Sequence, residues 1–135
     1  MFALQFGAVV SIVISKLGDK EDEFPFSYSY LGMMRHEELA LAYQAADVFI
    51  CPSIEDSGPM MINQSIMSGT PVVAFEMGIA IDVVINKVSG YKAKIGDTKD
   101  FAEGIKYILS LTAFEYEKLC EKTRKIGEDN FSYKI

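Results

Sequence analysis

Short runs of continuously apolar residues recur along this chain, and they constrain its fold more than any other feature. Such runs occupy residues 9–14, 48–51 and 71–75, an aromatic-rich run occupies residues 27–32, and a further short strand is predicted near Tyr91. Strands that are apolar on both faces are typical of sheets that helices cover on both sides. The pattern therefore predicts an α/β fold with a doubly wound, mostly parallel sheet and helices on both faces.

The segment between the second and third of these apolar runs is predicted to contain a helix with well-defined ends. Pro59 suits the first helical turn, where its missing N–H has no partner to lose, and Gly69 suits the carboxyl-terminal cap. We therefore expect a helix from Pro59 to about Ser68. Its methionines are interpreted as core-filling side chains of a helix that packs against the sheet and a partner domain: Met60, Met61 and Met67.

Three further helices are predicted from periodicity and capping residues. The first covers residues 37–46, the second begins at Asp97, and the third follows Thr112 and Glu115, which have the spacing of a capping box. The third is expected to end near Gly127. The side chains expected to face the core are Leu39, Ala42, Tyr43 and Ala46 in the first helix, Phe101, Ala102, Ile105, Ile108 and Leu109 in the second, and Tyr116, Leu119, Cys120 and Ile126 in the third.

Composition narrows the class of partner. The 135 residues are 50% apolar, which suits a single domain over residues 1–135. With 13 basic and 19 acidic residues the formal net charge is −6, so the chain offers no positive field to attract nucleic acid. Cys51 and Cys120 lie far apart and the chain has one histidine, so neither a disulfide framework nor a zinc site is predicted. We therefore expect a cytoplasmic protein.

No transmembrane segment is predicted. The apolar run GAVVSIVIS is too short to span a bilayer and contains a serine. It also lacks a preceding basic residue and a good small-residue cleavage site, so a buried strand is favoured over a signal peptide. Residues 1–6 carry no turn signal or cap, and we expect the chain to begin inside a larger protein.

For two polar features, the sequence favours a structural interpretation over a metal-binding or catalytic one. The acidic loop at residues 16–26 has no second ligand cluster of defined spacing, so an exposed loop is favoured over a metal site. His36 lies at the start of an amphipathic helix with no neighbour to orient it, so a solvated side chain is favoured over a catalytic base.

The stretch CPSIEDSGPM carries the candidate chemistry. It follows the predicted strand at residues 48–51, and ligands of open parallel sheets bind where the carboxyl end of a strand leads into a helix. The helix that opens at Pro59 leaves the amides around Gly58, Met60 and Met61 without intrahelical partners. Such amides, at the positive end of the helix dipole, suit a phosphate or diphosphate.

Two polar side chains flank this helix entrance. Glu55 can accept hydrogen bonds from two sugar hydroxyls, and Asn63, one turn into the helix, faces the same side. The same residues also suit a purely structural interpretation, in which Ser57 or Asp56 caps the helix, Glu55 is solvated and Asn63 is a satisfied polar residue. Local chemistry alone leaves both interpretations open.

A resemblance to a known family is carried by the run AYQAADVFICPSIEDSGPMMINQSIMSGTPVVAFEMG. It resembles the donor-site motif of retaining GT-B glycosyltransferases of family 4, the glycosyl transferases group 1. The matching elements are ADVF, PS, an acidic residue, SGP in place of the usual GFG, and GTPVV, and the resemblance extends from about Val9 to the end of the chain. It implies the Rossmann-like, carboxyl-terminal, donor-binding half of such an enzyme, which binds a nucleotide diphosphate sugar.

The resemblance also implies roles for individual residues. Glu55 matches the first glutamate of the family's E-x7-E motif, which binds hydroxyls of the donor sugar. Asn63 falls where the second glutamate usually binds the ribose, and its neutral amide is a departure from the family. Ser57, Gly58 and Pro59 match the loop along the sugar and phosphates, although Pro59 has no N–H to donate.

Further implications concern the whole enzyme. Gly78 and Asp82 fall near a second donor-side loop. The family's diphosphate-neutralising basic residues and its amino-terminal acceptor domain are expected upstream, so the chain resembles an excised half that does not transfer sugar alone. The resemblance implies hexosyl transfer with retention, a glycan or lipid-linked acceptor in polysaccharide biosynthesis, and contact with the membrane only through the missing half. No cofactor or metal is expected besides the donor substrate.

Two alternatives come from other classes of protein. A response-regulator-like domain is also doubly wound, but its phosphoacceptor Asp closes a strand, whereas Asp47 opens one here. A non-catalytic nucleotide- or sugar-binding module stays an alternative, because a protein of this family that had lost its catalytic activity could carry Asn63 in place of the glutamate.

Overall fold

The computed structural model describes residues 2–5, 11–14, 28–30, 35–52 and 59–131. In this part of the chain the strands are β1 Phe2–Gln5, β2 Ser11–Ile14, β3 Tyr28–Tyr30, β4 Val48–Cys51, β5 Val72–Phe75 and β6 Gly90–Ala93. The helices are α1 His36–Ala45, α2 Pro59–Met67, α3 Ala80–Val83, α4 Thr98–Leu109 and α5 Ala113–Phe131.

The six strands form one sheet in the order β3-β2-β1-β4-β5-β6. Strands β4, β5 and β6 are parallel, with Cys51 opposite Ala74 and Ala74 opposite Lys92. Strands β2 and β3 are also parallel, which confirms the mostly parallel sheet. Strand β1 is antiparallel to both of its neighbours. It was not predicted, because four residues without a flanking turn signal give no periodicity to recognise.

Two apolar cores lie on opposite faces of the sheet, as the continuously apolar strands predict. In β5, Val72 and Ala74 belong to the first core and Val73 and Phe75 to the second. Alternate side chains of a strand point to opposite faces, so both faces must be covered. Helices α1, α2 and α3 contribute to the first core, α4 contributes to the second, and α5 contributes to both.

Most predicted helix ends are confirmed. Helix α2 begins at Pro59, and Gly69, two residues after its end, has a φ of 78°, the left-handed conformation that favours glycine. Asp97 caps α4 by accepting a hydrogen bond from the Asp100 amide at 3.0 Å. The Glu115 amide donates to Thr112 Oγ1 at 3.2 Å, which confirms the cap before α5.

Three details of the helix predictions are wrong. Helix α5 continues through Gly127 to Phe131, because Gly127 is where α5 packs against the end of α2. A Cβ added there would lie 3.0 Å from Met67 Cα. Ala102 is exposed rather than inward-facing. Met67 is 51% exposed, so it does not fill the core, whereas Met61 packs against the first core as expected.

Candidate functional site

Three parallel strands end at one edge of the sheet, which we call the carboxyl edge. It lies at Cys51, Phe75 and Ala93, the last residues of β4, β5 and β6. Helix α2 follows β4 in the chain and then leads back to the start of β5. Its amino-terminal end is therefore on the side of the carboxyl edge, as expected for the ligand-binding position of an open parallel sheet.

The first turn of α2 keeps the features of an anion-binding helix end. Pro59 is its first residue, and no acidic residue lies in the first turn to offset the positive end of the dipole. The side chain of Met61 is partly buried against the first core, so only its backbone is available for a ligand. The predicted loop residues Glu55, Ser57 and Gly58 lie outside the described residues, as does His36's side chain, and their roles stay predictions.

Asn63 lies one turn into α2, between the core side chains Ile62 and Ile66. The residue is half-buried, and its Oδ1 atom is buried with no hydrogen-bond partner in the described part of the chain. A buried amide oxygen without a partner is costly, because it has lost its water without gaining another donor. Among the described residues, the structural interpretation of Asn63 as a satisfied polar residue therefore does not hold.

Gly78 lies just beyond the carboxyl edge, between β5 and α3. Its φ of 55° is left-handed, and its carbonyl accepts a hydrogen bond from the Ile81 amide at 3.2 Å. The tight turn leaves Gly78 exposed and without a side chain between solvent and backbone. The structure thus places Asn63, the start of α2 and the Gly78 turn around the same edge of the sheet. Asp82, held more weakly by the sequence, is an exposed residue of α3.

A second polar cluster, which the sequence did not single out, lies at the opposite edge. We call this the amino edge, because β4, β5 and β6 begin there. Asp47 directly precedes β4, and its Oδ2 atom is buried with no hydrogen-bond partner among the described residues. Burial raises the pKa of Asp47 to about 6. The Tyr116 hydroxyl donates to the Asp47 backbone carbonyl at 2.6 Å, which attaches α5 to the start of the strand.

Burial also affects the groups around Asp47. It raises the pKa of the Cys120 thiol, and the neighbouring Asp47 charge acts in the same direction, while Arg124 opposes it. A raised thiol pKa keeps Cys120 protonated and unreactive near neutral pH. One charged residue at the start of an apolar strand is the only sequence signal that could have pointed to this cluster.

The described residues show neither a cluster of metal ligands nor a membrane-spanning helix. Within residues 35–52 and 59–131 and the short strands before them, no three His, Cys, Asp or Glu side chains come together as metal ligands. No helix of the described chain has both the length and the apolar composition needed to cross a bilayer.

Comparison with known proteins connects this geometry to a family. The family model described as Glycosyl transferases group 1 matches residues 27–129. Alpha-monoglucosyldiacylglycerol synthase of Streptococcus pneumoniae is 32% identical over 114 residues, which cover 84% of this chain and 25% of that protein. D-inositol 3-phosphate glycosyltransferase of Geodermatophilus obscurus is 35% identical over 81 residues, covering 60% of this chain and 18% of that protein.

Solved structures agree on the fold. Sucrose-phosphate synthase from Thermosynechococcus elongatus superposes with a TM-score of 0.69 at 27% identity, over 77% of this chain and 26% of that chain. The carboxyl-terminal domain of a glycosyl transferase group 1 family protein from Francisella tularensis gives the same TM-score, 0.69, at 14% identity, over 82% of this chain and 56% of that chain. The latter likeness concerns the fold alone.

The chain spans about a quarter or less of the length of the two curated relatives. The family match covers most of the chain, including all of β4, α2, β5, β6 and α4. The sheet, the position of α2 and the family match agree, and the chain belongs to the Glycosyl transferases group 1 family.

Proposed function

We propose that this chain is the donor-binding half of a retaining GT-B, family 4 glycosyltransferase. The observation that carries the proposal is the buried Oδ1 of Asn63, which has no hydrogen-bond partner among the described residues and lies one turn into the helix that opens at the carboxyl edge. A ribose hydroxyl is a donor that would satisfy this oxygen. The resemblance aligns position 63 with the residue through which the family binds the ribose. A hydrogen-bond acceptor that lacks a donor at this position therefore supports a nucleotide sugar as the ligand.

The proposed roles follow from how charge develops during transfer. Breaking the bond between the anomeric carbon and the phosphate oxygen leaves positive charge on the sugar and negative charge on the departing diphosphate. The positive end of α2 and the amides of Gly58, Met60 and Met61 would stabilise the departing diphosphate. Glu55 would hold the sugar hydroxyls, so that the anomeric carbon is oriented for attack. The turn at Gly78 would border the donor from the next strand.

Several proposals concern the parent enzyme. Two relatives are named for a glucosyldiacylglycerol and for an inositol phosphate, which supports a hexosyl donor and a glycan or lipid-linked acceptor. We propose that an amino-terminal domain supplies the acceptor site and that the present half alone does not transfer sugar. We further propose a cytoplasmic enzyme, in contact with the membrane through its other half, that needs no metal or cofactor besides its nucleotide sugar.

A second candidate is a non-catalytic nucleotide- or sugar-binding module. Asn63 favours it, because a neutral amide accepts a ribose hydroxyl less strongly than the carboxylate usual at this position. Assay of the longer parent protein for release of UDP or GDP from candidate donors separates the two. Turnover supports the transferase, and no turnover with any donor supports the binding module.

The donor-binding role is tested by thermal-shift titration with UDP, GDP, ADP and their sugars. We expect one nucleotide to raise the Tm and its sugar conjugate to raise it further. Glu55→Gln should lose the additional response to the sugar, about tenfold in affinity for one charge-assisted hydrogen bond, and keep the response to the nucleotide. The matched control is Glu117→Gln, because Glu117 is exposed on α5. Equal loss of both responses in Glu55→Gln, or no loss, would contradict the assigned role.

A further inference from the structure

A cavity of about 430 Å³ opens at the amino edge, which is the edge of the sheet opposite to the proposed donor site. It lies where the carboxyl-terminal ends of α1 and α2 meet the side of α5. The lining residues that matter here are Gln44, Asp47, Met67, Gly69, Cys120 and Arg124. Its volume is within the range of roughly 300–1,000 Å³ that is usual for small-molecule sites.

Asp47 gives this cavity a buried acceptor. Its Oδ2 atom has no hydrogen-bond partner in the described part of the chain, although the residue's own carbonyl is held by Tyr116. The ends of α1 and α2 add the negative ends of two helix dipoles. The Asp47 carboxylate and these helix ends therefore favour a hydrogen-bond donor on this side of the cavity.

Arg124 gives the cavity a donor on its other side. Its side chain packs over Gly69, where an added Cβ would lie 2.8 Å from a guanidinium nitrogen. Gly69 is left-handed, with a φ of 78°, so its backbone conformation favours glycine, and no side chain separates it from the guanidinium. Among the described residues, the three ion pairs do not include Arg124 or Asp47. The guanidinium therefore has N–H groups available for a ligand.

The opposite charges of Asp47 and Arg124 determine which class of ligand the cavity favours. A small cation would be attracted by Asp47 and repelled by Arg124, and an anion would be repelled by Asp47. A hydroxyl group both donates and accepts, so a neutral polyol can donate to the carboxylate and accept from the guanidinium at the same time. The 51%-exposed side chain of Met67 adds apolar surface for the C–H face of a sugar ring.

We propose that the Asp47–Arg124 cavity at the amino edge is a second carbohydrate site, which binds a neutral sugar through its hydroxyl groups. This site is separate from the proposed donor site and does not require a nucleotide. It also does not depend on the proposed function, since its residues lie outside the E-x7-E motif.

The test is an NMR titration of the 135-residue chain with methyl α-D-glucopyranoside, which is neutral and carries no phosphate. We expect shifts at the backbone amides of Gly69, Thr70 and Cys120. n-Butylammonium and inorganic phosphate serve as cationic and anionic probes of the same cavity and should give no comparable shifts.

Variants identify the side chains responsible. Arg124→Met keeps an unbranched side chain but removes the donors, and Asp47→Asn removes the charge; each should weaken glucoside binding about tenfold, as for a lost hydrogen bond to a charged group. Lys122→Met is the matched control, because Lys122 is exposed on the same helix and does not line the cavity. Both variants are expected to fold, because Arg124 is exposed and Asp47→Asn replaces a partly buried charge with a neutral group of the same shape.

Three results would overturn the proposal. One is glucoside binding that Arg124→Met leaves unchanged, and another is binding of the cation or the anion in place of the glucoside. The third is glucoside-induced shifts confined to Met61, Asn63 and Gly78. That result would assign the sugar to the carboxyl edge and support the proposed donor site while removing the second site.

Discussion

In the described part of the chain, each of the two edges of the sheet holds a buried oxygen without a hydrogen-bond partner, but the two oxygens lie near helix ends of opposite polarity. At the carboxyl edge, the neutral Asn63 amide lies near the positive, amino-terminal end of α2. At the amino edge, the Asp47 carboxyl lies near the negative, carboxyl-terminal ends of α1 and α2. The positive end of α2 therefore favours an anionic ligand at the carboxyl edge, and its negative end favours a hydrogen-bond donor at the amino edge.

The largest expected effect concerns the packing of α2 against α5, which borders the amino edge. We expect Gly127→Leu to lower the free energy of unfolding by about 3 kcal/mol or more, because the new side chain would overlap the backbone of Met67 and Ile66. Urea denaturation measures the change. The cavity at the amino edge should be distorted with it.

The matched control for this change is Gly96→Ala. Gly96 has a positive φ, 77°, unlike the helical Gly127, and an added Cβ there would meet no atom within 4 Å. Only backbone strain remains, about 1 kcal/mol. If Gly127→Leu were no more destabilising than Gly96→Ala, the conclusion that α2 and α5 pack closely at Gly127 would be wrong.

A smaller effect distinguishes the edges by pH. The pKa of Asp47 is about 6 in the folded chain, against an ordinary value of 3.8. Because the folded state holds the proton more tightly than the unfolded state, the protonated Asp47 contributes to the stability of the fold. This contribution to the free energy of unfolding is complete below pH 3.8 and is lost as the pH rises through 6. Allowing for partial exposure, the loss is about 1–2 kcal/mol.

Asp47→Asn removes this ionisation. We expect the variant to be more stable than the unmodified chain at pH 8 by about 1–2 kcal/mol, with the difference shrinking toward pH 4. Urea denaturation at several pH values measures it, and subtraction cancels the other titrating groups. The surface control is Asp129→Asn, which removes an exposed ion pair to Lys125 and should change the free energy of unfolding by less than about 1 kcal/mol. A flat difference for Asp47→Asn would mean that the carboxyl is not held in a buried site.

The carboxyl edge could be predicted from the sequence because several independent signals coincide there. Pro59 and Gly69 fix the ends of α2, the apolar run before them fixes β4, and Asn63 then falls one turn into the helix. These signals are local, and each acts within a few residues of the feature that it determines. They needed no knowledge of which strands are neighbours.

The amino edge could not be predicted because its parts are distant in the sequence. Asp47 meets Tyr116 across 69 positions, and Arg124 meets Gly69 only after α5 has crossed the end of α2. Gly127 was misinterpreted for the same reason: a glycine that ends a helix and a glycine that admits a neighbouring backbone look alike in the sequence. The short helix α3 was missed, since four residues do not display a helical period.

The smallest expected change in stability belongs to Asn63, and it gives the most direct test of the donor site. Asn63→Ala removes an amide whose buried oxygen has no partner in the described part of the chain, so stability should change by less than about 1 kcal/mol. Ser65→Ala, two residues further along the same helix, loses the hydrogen bond from Ser65 Oγ to the Thr70 carbonyl and should cost about 1 kcal/mol.

The decisive measurement is calorimetric titration of the unmodified chain and Asn63→Ala with the nucleotide that gives the largest thermal shift. We expect Asn63→Ala to bind that nucleotide about tenfold more weakly while it unfolds at nearly the same urea concentration. Unchanged nucleotide affinity in Asn63→Ala would contradict the assignment of the carboxyl edge as the donor site.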